Sequence, residues 1–289
     1  MTEIAILSGK GGTGKSSLSA ALATLASKVV VADCDVDAAN LHLVLHPDNY
    51  REETYVSGQK AVIDDAKCSH CGACMDYCRF DAIRQTNHTF QVIETACDGC
   101  QLCTRVCPEK AISMVNQDKS RWFAADIPNG KMIHARLAPG EDNSGRLVNL
   151  VRDQAREAAL ELNTDLILID GPPGIGCPAI SSLTGIDKVV LVSEPSKSGI
   201  HDLKRIVKLA QHFRVKIYVV INKYDLSSSL SKALEDWCQL MRIPIIGKLP
   251  FDRLVVDAMV NGESITNWAP DSAISHEIRK IWNKLIQHE

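Results

Sequence analysis

The chain has 289 residues, 45% of them hydrophobic and 5% aromatic, with a net charge of -3 at neutral pH. That length suggests about two domains and a core large enough to stand without cross-links, while the weak charge and scarce aromatics argue against nucleic acid as a partner. There is no run of ~18 apolar residues to span a bilayer, and no basic stretch precedes the first apolar run, so neither a membrane span nor a secretion signal is expected and the cytoplasm is the expected compartment.

In chain order, Ile4–Ser8 reads as a first strand that ends in "GKGGTGKS", residues 9–16, and Leu18, Leu22 and Leu25 then recur at helical spacing. This is G-x-x-x-x-G-K-[ST] in the strand–turn–helix setting the motif requires. Gly11, Gly12, Thr13 and Gly14 form a loop whose backbone N–H groups cradle phosphate oxygens. Lys15 reaches the β- and γ-phosphates, Ser16 ligates Mg²⁺, and Ser17 joins the nucleotide-binding set. Val29–Ala32 is a second strand, and it runs into "DCDVDAAN", residues 33–40.

From about Gly58 to Asn116 the α/β rhythm breaks, and eight of the eleven cysteines fall there. "CSHCGACMDYCRFDAI" (68–83) and "CDGCQLCTRVCPEKAI" (97–112) share the frame C-x2-C-x2-C-x3-C-x3-A-I. A duplicated motif inside an α/β sequence reads as an inserted domain, residues 58–117, splitting a discontinuous domain made of 1–57 and 118–289. Such short spacings favour metal ligation over disulfides. Three thiolates from one tight loop and a fourth from elsewhere suit a [4Fe–4S] cube, and in two-cluster ferredoxins the fourth cysteine serves the other cube. Cys68, Cys71, Cys74 and Cys107 are therefore expected on one cluster, and Cys97, Cys100, Cys103 and Cys78 on the second. Zinc is the alternative occupant of a thiolate quartet, and the frame favours iron–sulfur. Pro108 follows Cys107 but Arg79 follows Cys78, a departure that removes no ligand.

Beyond the insertion, Asp165–Asp170, Lys188–Val192, Val215–Ile221 and Ile243–Ile246 are compact strands. They alternate with helical segments near Gly145–Leu162, Gly199–Phe213, Ser227–Met241 and Phe251–Asn261. Strands apolar on both faces, alternating with helices, predict a mostly parallel sheet flanked by helices. Ser144, within "PGEDNSGRLV" (139–148), is a candidate cap for the helix that follows. Ile274, Ile278, Ile281 and Leu285 share one face of a C-terminal helix expected to pack on the sheet. Cys34, Cys177 and Cys238 lie outside the runs and read as packing residues.

Lys10 gives the loop two lysines, K-G-G-T-G-K-S, and this resembles the deviant-Walker ATPases: MinD, ParA, Mrp-type proteins and the nitrogenase iron protein. The resemblance implies that Lys10 reaches across a nucleotide-sandwich dimer to the partner's ATP. It implies that Asp35 activates the attacking water and that Asp33 lies near Mg²⁺, with Asp37 as an alternative. "LILIDGPPG" (166–174) resembles a Walker B strand whose Asp170 holds a Mg²⁺-bound water. Asn222, in "VVINKYD" (219–225), matches the position that reads adenine, and Pro250, in "KLPFD" (248–252), the loop beside the base. Cys177 falls near the place where the nitrogenase iron protein has a bridging-cluster ligand.

The whole is similar to a MinD-superfamily P-loop ATPase with an inserted small α+β ferredoxin-like domain. The implied activity is Mg²⁺-dependent ATP hydrolysis coupling closure of a homodimer, or of a heterodimer with a paralogous ATPase, to electron transfer or metallocluster assembly with an unidentified redox or metallocluster partner protein. The alternatives are an Mrp-type cluster carrier, against which the lack of a further C-x-x-C argues, a MinD-like positioning ATPase, and an electron carrier with a vestigial ATP site.

Overall fold

Aliphatic runs such as "IAIL", "LILI" and "VVLV" leave no polar face, so they are stable only in a sheet covered on both sides. The computed structural model, which describes residues 1–141 and 144–287, places them there. The elements of the N-terminal half are β1 (Thr2–Ser8), α1 (Lys15–Leu25), β2 (Val29–Asp33), α2 (His42–Leu45), β3 (Asp48–Tyr55), β4 (Gly58–Ile63), α3 (Ala73–Asp76), β5 (Ile83–Thr86), β6 (Thr89–Val92), α4 (Leu102–Val106), β7 (Ile112–Gln117), β8 (Ser120–Ile127) and β9 (Gly130–Arg136). There follow α5 (Ser144–Leu162), β10 (Leu166–Pro173), α6 (Cys177–Leu183), β11 (Lys188–Ser193), α7 (Lys197–His212), β12 (Lys216–Asn222), α8 (Ser228–Leu240), β13 (Ile245–Leu249), α9 (Arg253–Val260), α10 (Ile265–Trp268) and α11 (Ala273–Gln287).

One nine-stranded sheet has the order β13-β12-β11-β1-β10-β2-β9-β8-β3. Every neighbouring pair from β13 to β9 is parallel. The order reverses around β1, which lies between β11 and β10, and such a switch point opens a crevice at the carboxyl ends of the strands. The C-terminal helix packs into the core: Ile274, Ile278, Ile281 and Leu285 are all buried, in one cluster with Leu22 and Ile246. No helix among the described residues is long and apolar enough to cross a membrane.

Three strands escape the aliphatic pattern. β3 ("DNYREETY") is largely exposed and charged, and β8 and β9 mix polar with apolar positions, so none shows a clean apolar run. Ser144 is the first residue of α5 rather than a residue preceding it, and residues 142–143 of the "PGEDNSGRLV" stretch lie outside the described residues.

The chain divides into two compact units. The first comprises Met1–Glu52, Phe123–Ala135 and Ser144–Glu289, and the second Glu53–Trp122 and Arg136–Asn143. The second is built from the sequence repeat. Each copy supplies strand, short helix and strand: β4-α3-β5, then β6-α4-β7. β4 and β7 pair antiparallel from Gly58–Gln117 to Ile63–Ile112, and β5 pairs antiparallel with β6. Ala61, Cys74, Ile83, Phe90 and Ile112 form its core. The Glu141 carboxylate binds this unit together by accepting from the Ser57 hydroxyl (3.0 Å), the Lys119 N–H (2.9 Å) and the Ser120 N–H (3.1 Å). Burial alone would raise the Glu141 carboxyl, but these donors outweigh it and hold it below the usual range.

Close packing of α11 on the sheet depends on Gly247, where a Cβ would stand 2.2 Å from Ile281 Cγ1. Gly247→Ala overpacks this seam and is expected to cost about 1–3 kcal/mol, read as a lowered urea midpoint with an unchanged m-value.

Candidate nucleotide site and cysteine cavities

β1 is buried from Glu3 to its end and delivers the glycine-rich loop to the switch point. Gly12 and Gly14 take φ of 78° and 87°, in the left-handed region. Gly14 caps α1, and a Cβ there would lie 2.2 Å from Asn222 Nδ2. Nothing lies within 4 Å of where Cβ atoms would stand on Gly11 and Gly12, so this side of the loop faces open space. Thr13 Oγ1 is buried without a hydrogen-bond partner among the described residues, which is rare for a buried polar atom unless a ligand supplies the partner. Together with the unsatisfied N–H groups of the helix start, these features fit a phosphate group.

The lysine of the loop sits in a buried charge cluster. Lys15 Nζ donates to Asp170 Oδ1 at 2.8 Å and to Ser16 Oγ at 3.1 Å, and stands 3.8 Å from Asp35 Oδ2. The Ser16 and Ser19 hydroxyls donate to the Asp170 carboxylate at 2.8 and 2.7 Å. Parallel register sets Asp170 beside Asp33. Asp33 is fully buried and accepts the backbone N–H groups of Asp35, Asn40 and Leu41, which shapes the loop after β2. Burial first, and then the Asp170 charge, pushes the Asp33 carboxyl above its ordinary range, and burial does the same to Asp35. Asp37 is exposed. Burial also raises the Cys34 thiol strongly, which makes it inert.

Lys10 is held separately. Its Nζ donates to Glu194 Oε1 at 2.6 Å, to Ser198 Oγ at 3.1 Å and to Ser196 Oγ at 3.3 Å. Ser196 also caps α7, accepting the Gly199 N–H at 2.9 Å. Lys223 Nζ approaches the other Glu194 oxygen at 3.4 Å and donates to the Gly12 carbonyl at 3.0 Å. Burial would raise Glu194, but the Lys10 and Lys223 ammonium groups prevail and hold it low. Asn222 ends β12 and donates from Nδ2 to the Thr13 carbonyl at 2.8 Å, bracing the loop. Pro250 follows β13 beside Phe251, whose N–H donates to Asp225 Oδ1 at 2.7 Å. Ser17 is half-buried on the first turn of α1. Sequence reasoning missed Ser19, Glu194 and Lys223. Ser19 was findable, since i and i+4 share a helix face with Lys15, whereas the stretch 194–203 reads from sequence only as a loop on the nucleotide or partner face, with nothing that pairs Glu194 to Lys10.

Two small cavities of the second unit are lined by cysteines. One, of about 20 Å³, is lined by Cys97, Cys100, Cys103 and Cys78, with Ala61, Ile83 and Met114. The other, of about 10 Å³, is lined by Cys68, Cys71, Cys74 and Cys107, with Ile63, Phe90 and Ile112. Each thus has three cysteines from one repeat and the last cysteine of the other. The two exchanged thiols have equivalent surroundings: the Ala82 N–H points at Cys78 Sγ (3.4 Å) and the Ala111 N–H at Cys107 Sγ (3.3 Å). Any residue but proline could offer this N–H; both alanines are themselves buried. Among the described residues no group of three or more His, Cys, Asp or Glu is placed to hold a metal ion. Cys177 is exposed and Cys238 is buried.

A glycine loop at a parallel-sheet switch point, with a buried lysine between strand-end carboxylates, defines a P-loop nucleotide-binding protein of the α/β class. More narrowly, residues 4–265 match the CobQ/CobB/MinD/ParA nucleotide binding domain, and the chain belongs to that family. It is similar to an uncharacterized protein of Methanocaldococcus jannaschii, 32% identical over 98% of this chain and 96% of that one. It is also similar to the septum site-determining protein MinD of Synechocystis sp., 24% identical over 91% of this chain and 80% of that one. Among solved structures, the cell division ATPase MinD of Pyrococcus furiosus shares the fold with a TM-score of 0.60, at 22% identity over 100% of this chain and 99% of that one. MinD of Pyrococcus horikoshii, solved with Mg-ADP, has a TM-score of 0.59 at 21% identity, over 98% and 95% of the two chains.

Lys15→Ala strands Asp170 among buried carboxylates and is expected to cost about 3–5 kcal/mol at neutral pH. Asp33 and Asp35 bind protons more tightly folded than unfolded, so their charged forms burden the fold above their raised range. That burden fades as pH falls toward the ordinary aspartate value of 3.8. The loss in Lys15→Ala should therefore shrink on acidification, measured by denaturant melts at two pH values. Gly14→Ala, strained in φ and blocked by Asn222, should abolish nucleotide binding in a calorimetric titration.

Proposed function

We propose that the chain is a Mg²⁺-dependent ATPase that closes into a dimer on ATP in the manner of MinD, and that its second unit carries two [4Fe–4S] clusters. The observation that carries the first part is the Lys15–Ser16–Asp170 constellation behind a glycine loop with an open cradle and an unpartnered Thr13 hydroxyl. With ATP bound, Lys15 would hold the phosphates, Ser16 would ligate Mg²⁺, and Asp170 and Asp33 would be the carboxylates beside that ion. Asp35, 3.8 Å from Lys15 Nζ, lies where it can orient the attacking water. Asn222 and Pro250 border the base. Lys10 exchanges Glu194 for the partner protomer's phosphates, in a homodimer or in a heterodimer with a paralogous ATPase.

The comparisons favour a MinD-like positioning switch over an electron-transfer machine, because the named relatives are septum site-determining proteins. The iron–sulfur part rests on the two cysteine-lined cavities. A lone ion needs its thiolates drawn in to ~2.3 Å, whereas a four-iron cube spaces them around its corners, so the failure of the cysteines to group around one point is compatible with a cluster. The residues fit the group: four thiols per cavity, apolar walls, and a backbone N–H aimed at each exchanged sulfur. Bound there, a cluster would supply one-electron chemistry. Any coupling to a redox or metallocluster partner would be an output added to the ATP switch.

Two measurements test this. Light scattering with Mg-ATP should show a dimer that ADP does not support and that Lys10→Ala does not form; a mass unchanged by ATP would remove the switch. Anaerobically purified protein should hold about eight iron and eight acid-labile sulfide per chain, and Cys107→Ser should lose about half. Zinc with no sulfide would remove the clusters while leaving the ATPase reading intact.

A further inference from the structure

Within the first unit, a stack of rings joins the loop after β2 to the strands β3, β8 and β9. His42 begins α2, directly after the 33–41 loop that Asp33 holds through the Asn40 and Leu41 N–H groups. Its imidazole stacks on that of His134, centroids 5.2 Å apart and planes within 8°. Phe123 stacks on His134 at 4.7 Å and 15°. Tyr50 meets both edge-on, at 6.0 Å from His134 and 6.3 Å from Phe123. His134 is also the register partner of Asp33 across β9 and β2. Four side chains from α2, β3, β8 and β9 thus form one continuous contact that begins at the loop carrying Asp33.

Their positions along the chain are not scattered. Tyr50 lies just before the Glu52–Glu53 passage into the second unit, Phe123 is the first residue after the return at Trp122–Phe123, and His134 lies just before the passage at Ala135–Arg136. His134 is buried at the centre of the stack, His42 and Phe123 are half-buried and Tyr50 is exposed, so a shift of one ring against His134 is passed to the others through contiguous contacts. We infer that the His42–His134–Phe123–Tyr50 stack is the relay by which the nucleotide state of the 33–41 loop reaches the strands that lead into the cysteine-bearing unit. The inference rests on the nucleotide reading above. A bound nucleotide that engages the Asp33 carboxylate would loosen its hold on the Asn40 and Leu41 N–H groups. α2 then shifts, and His42 moves against His134. The relay residues position the strands and touch no reacting atom.

Hydrogen–deuterium exchange on the full chain tests this, with Mg²⁺ alone and with Mg²⁺ plus a non-hydrolysable ATP analogue. In the wild type, the analogue should slow exchange in peptides covering the glycine loop and change it in 48–55, 120–127 and 130–136 by roughly fivefold or more. His42→Ala should keep the response at the glycine loop and lose it in the three strands. His42→Phe retains a flat ring and should keep both. Strands that ignore the analogue in the wild type while the loop responds would overturn the relay alone, as would a full strand response in His42→Ala or a lost one in a folded His42→Phe. A glycine loop that never responds would bring down the nucleotide reading and the relay together.

Discussion

The first unit is organised around one electrostatic constraint: a parallel sheet brings Asp33 and Asp170 side by side at its carboxyl edge, where both are buried. Two carboxylates in that setting repel, and neither can be left without counter-charge. Lys15 answers them, with Ser16 and Ser19 donating from the same helix. The glycine loop is what allows a lysine at the first position of α1 to reach back over β10. The loop, the helix start and the strand ends are therefore one solution to a single problem. In the proposed function, a magnesium ion with a triphosphate would answer the same problem by supplying positive charge and a competing partner for the lysine.

Much of this was legible in the chain. The strand runs and the helices between them stand where the aliphatic pattern put them, because strands covered on both faces cannot hide their composition. What periodicity could not show was the β3–β8–β9 edge. Its strands are exposed or half-exposed and carry polar residues such as those of "DNYREETY", so their pairing is decided by neighbours distant in sequence. The charge cluster was legible at Lys15, Ser16, Asp33 and Asp170, whose motif spacing is local. Glu194 and Lys223 were not, since the acidic residue that holds Lys10 comes from a strand end more than a hundred and eighty residues away.

The cysteine frame shows the same division. The spacing marks the two runs and even the alanine that offers its N–H to the last sulfur of each. The family match concerns the nucleotide-binding domain and the named relatives are positioning proteins, so the electron-transfer expectation stands on the second unit's geometry alone.

The exchange of one cysteine between the cavities has a consequence for origins. A single repeat surrounds its own cavity with three thiols and aims its fourth elsewhere. Alone, it could complete a quartet only by embracing a second copy of itself. The tandem arrangement reads as such a pair made permanent within one polypeptide, with β4 and β7 as the clasp. Once joined, neither half can drift freely, because a change in one alters the set of cysteines lining the other's cavity.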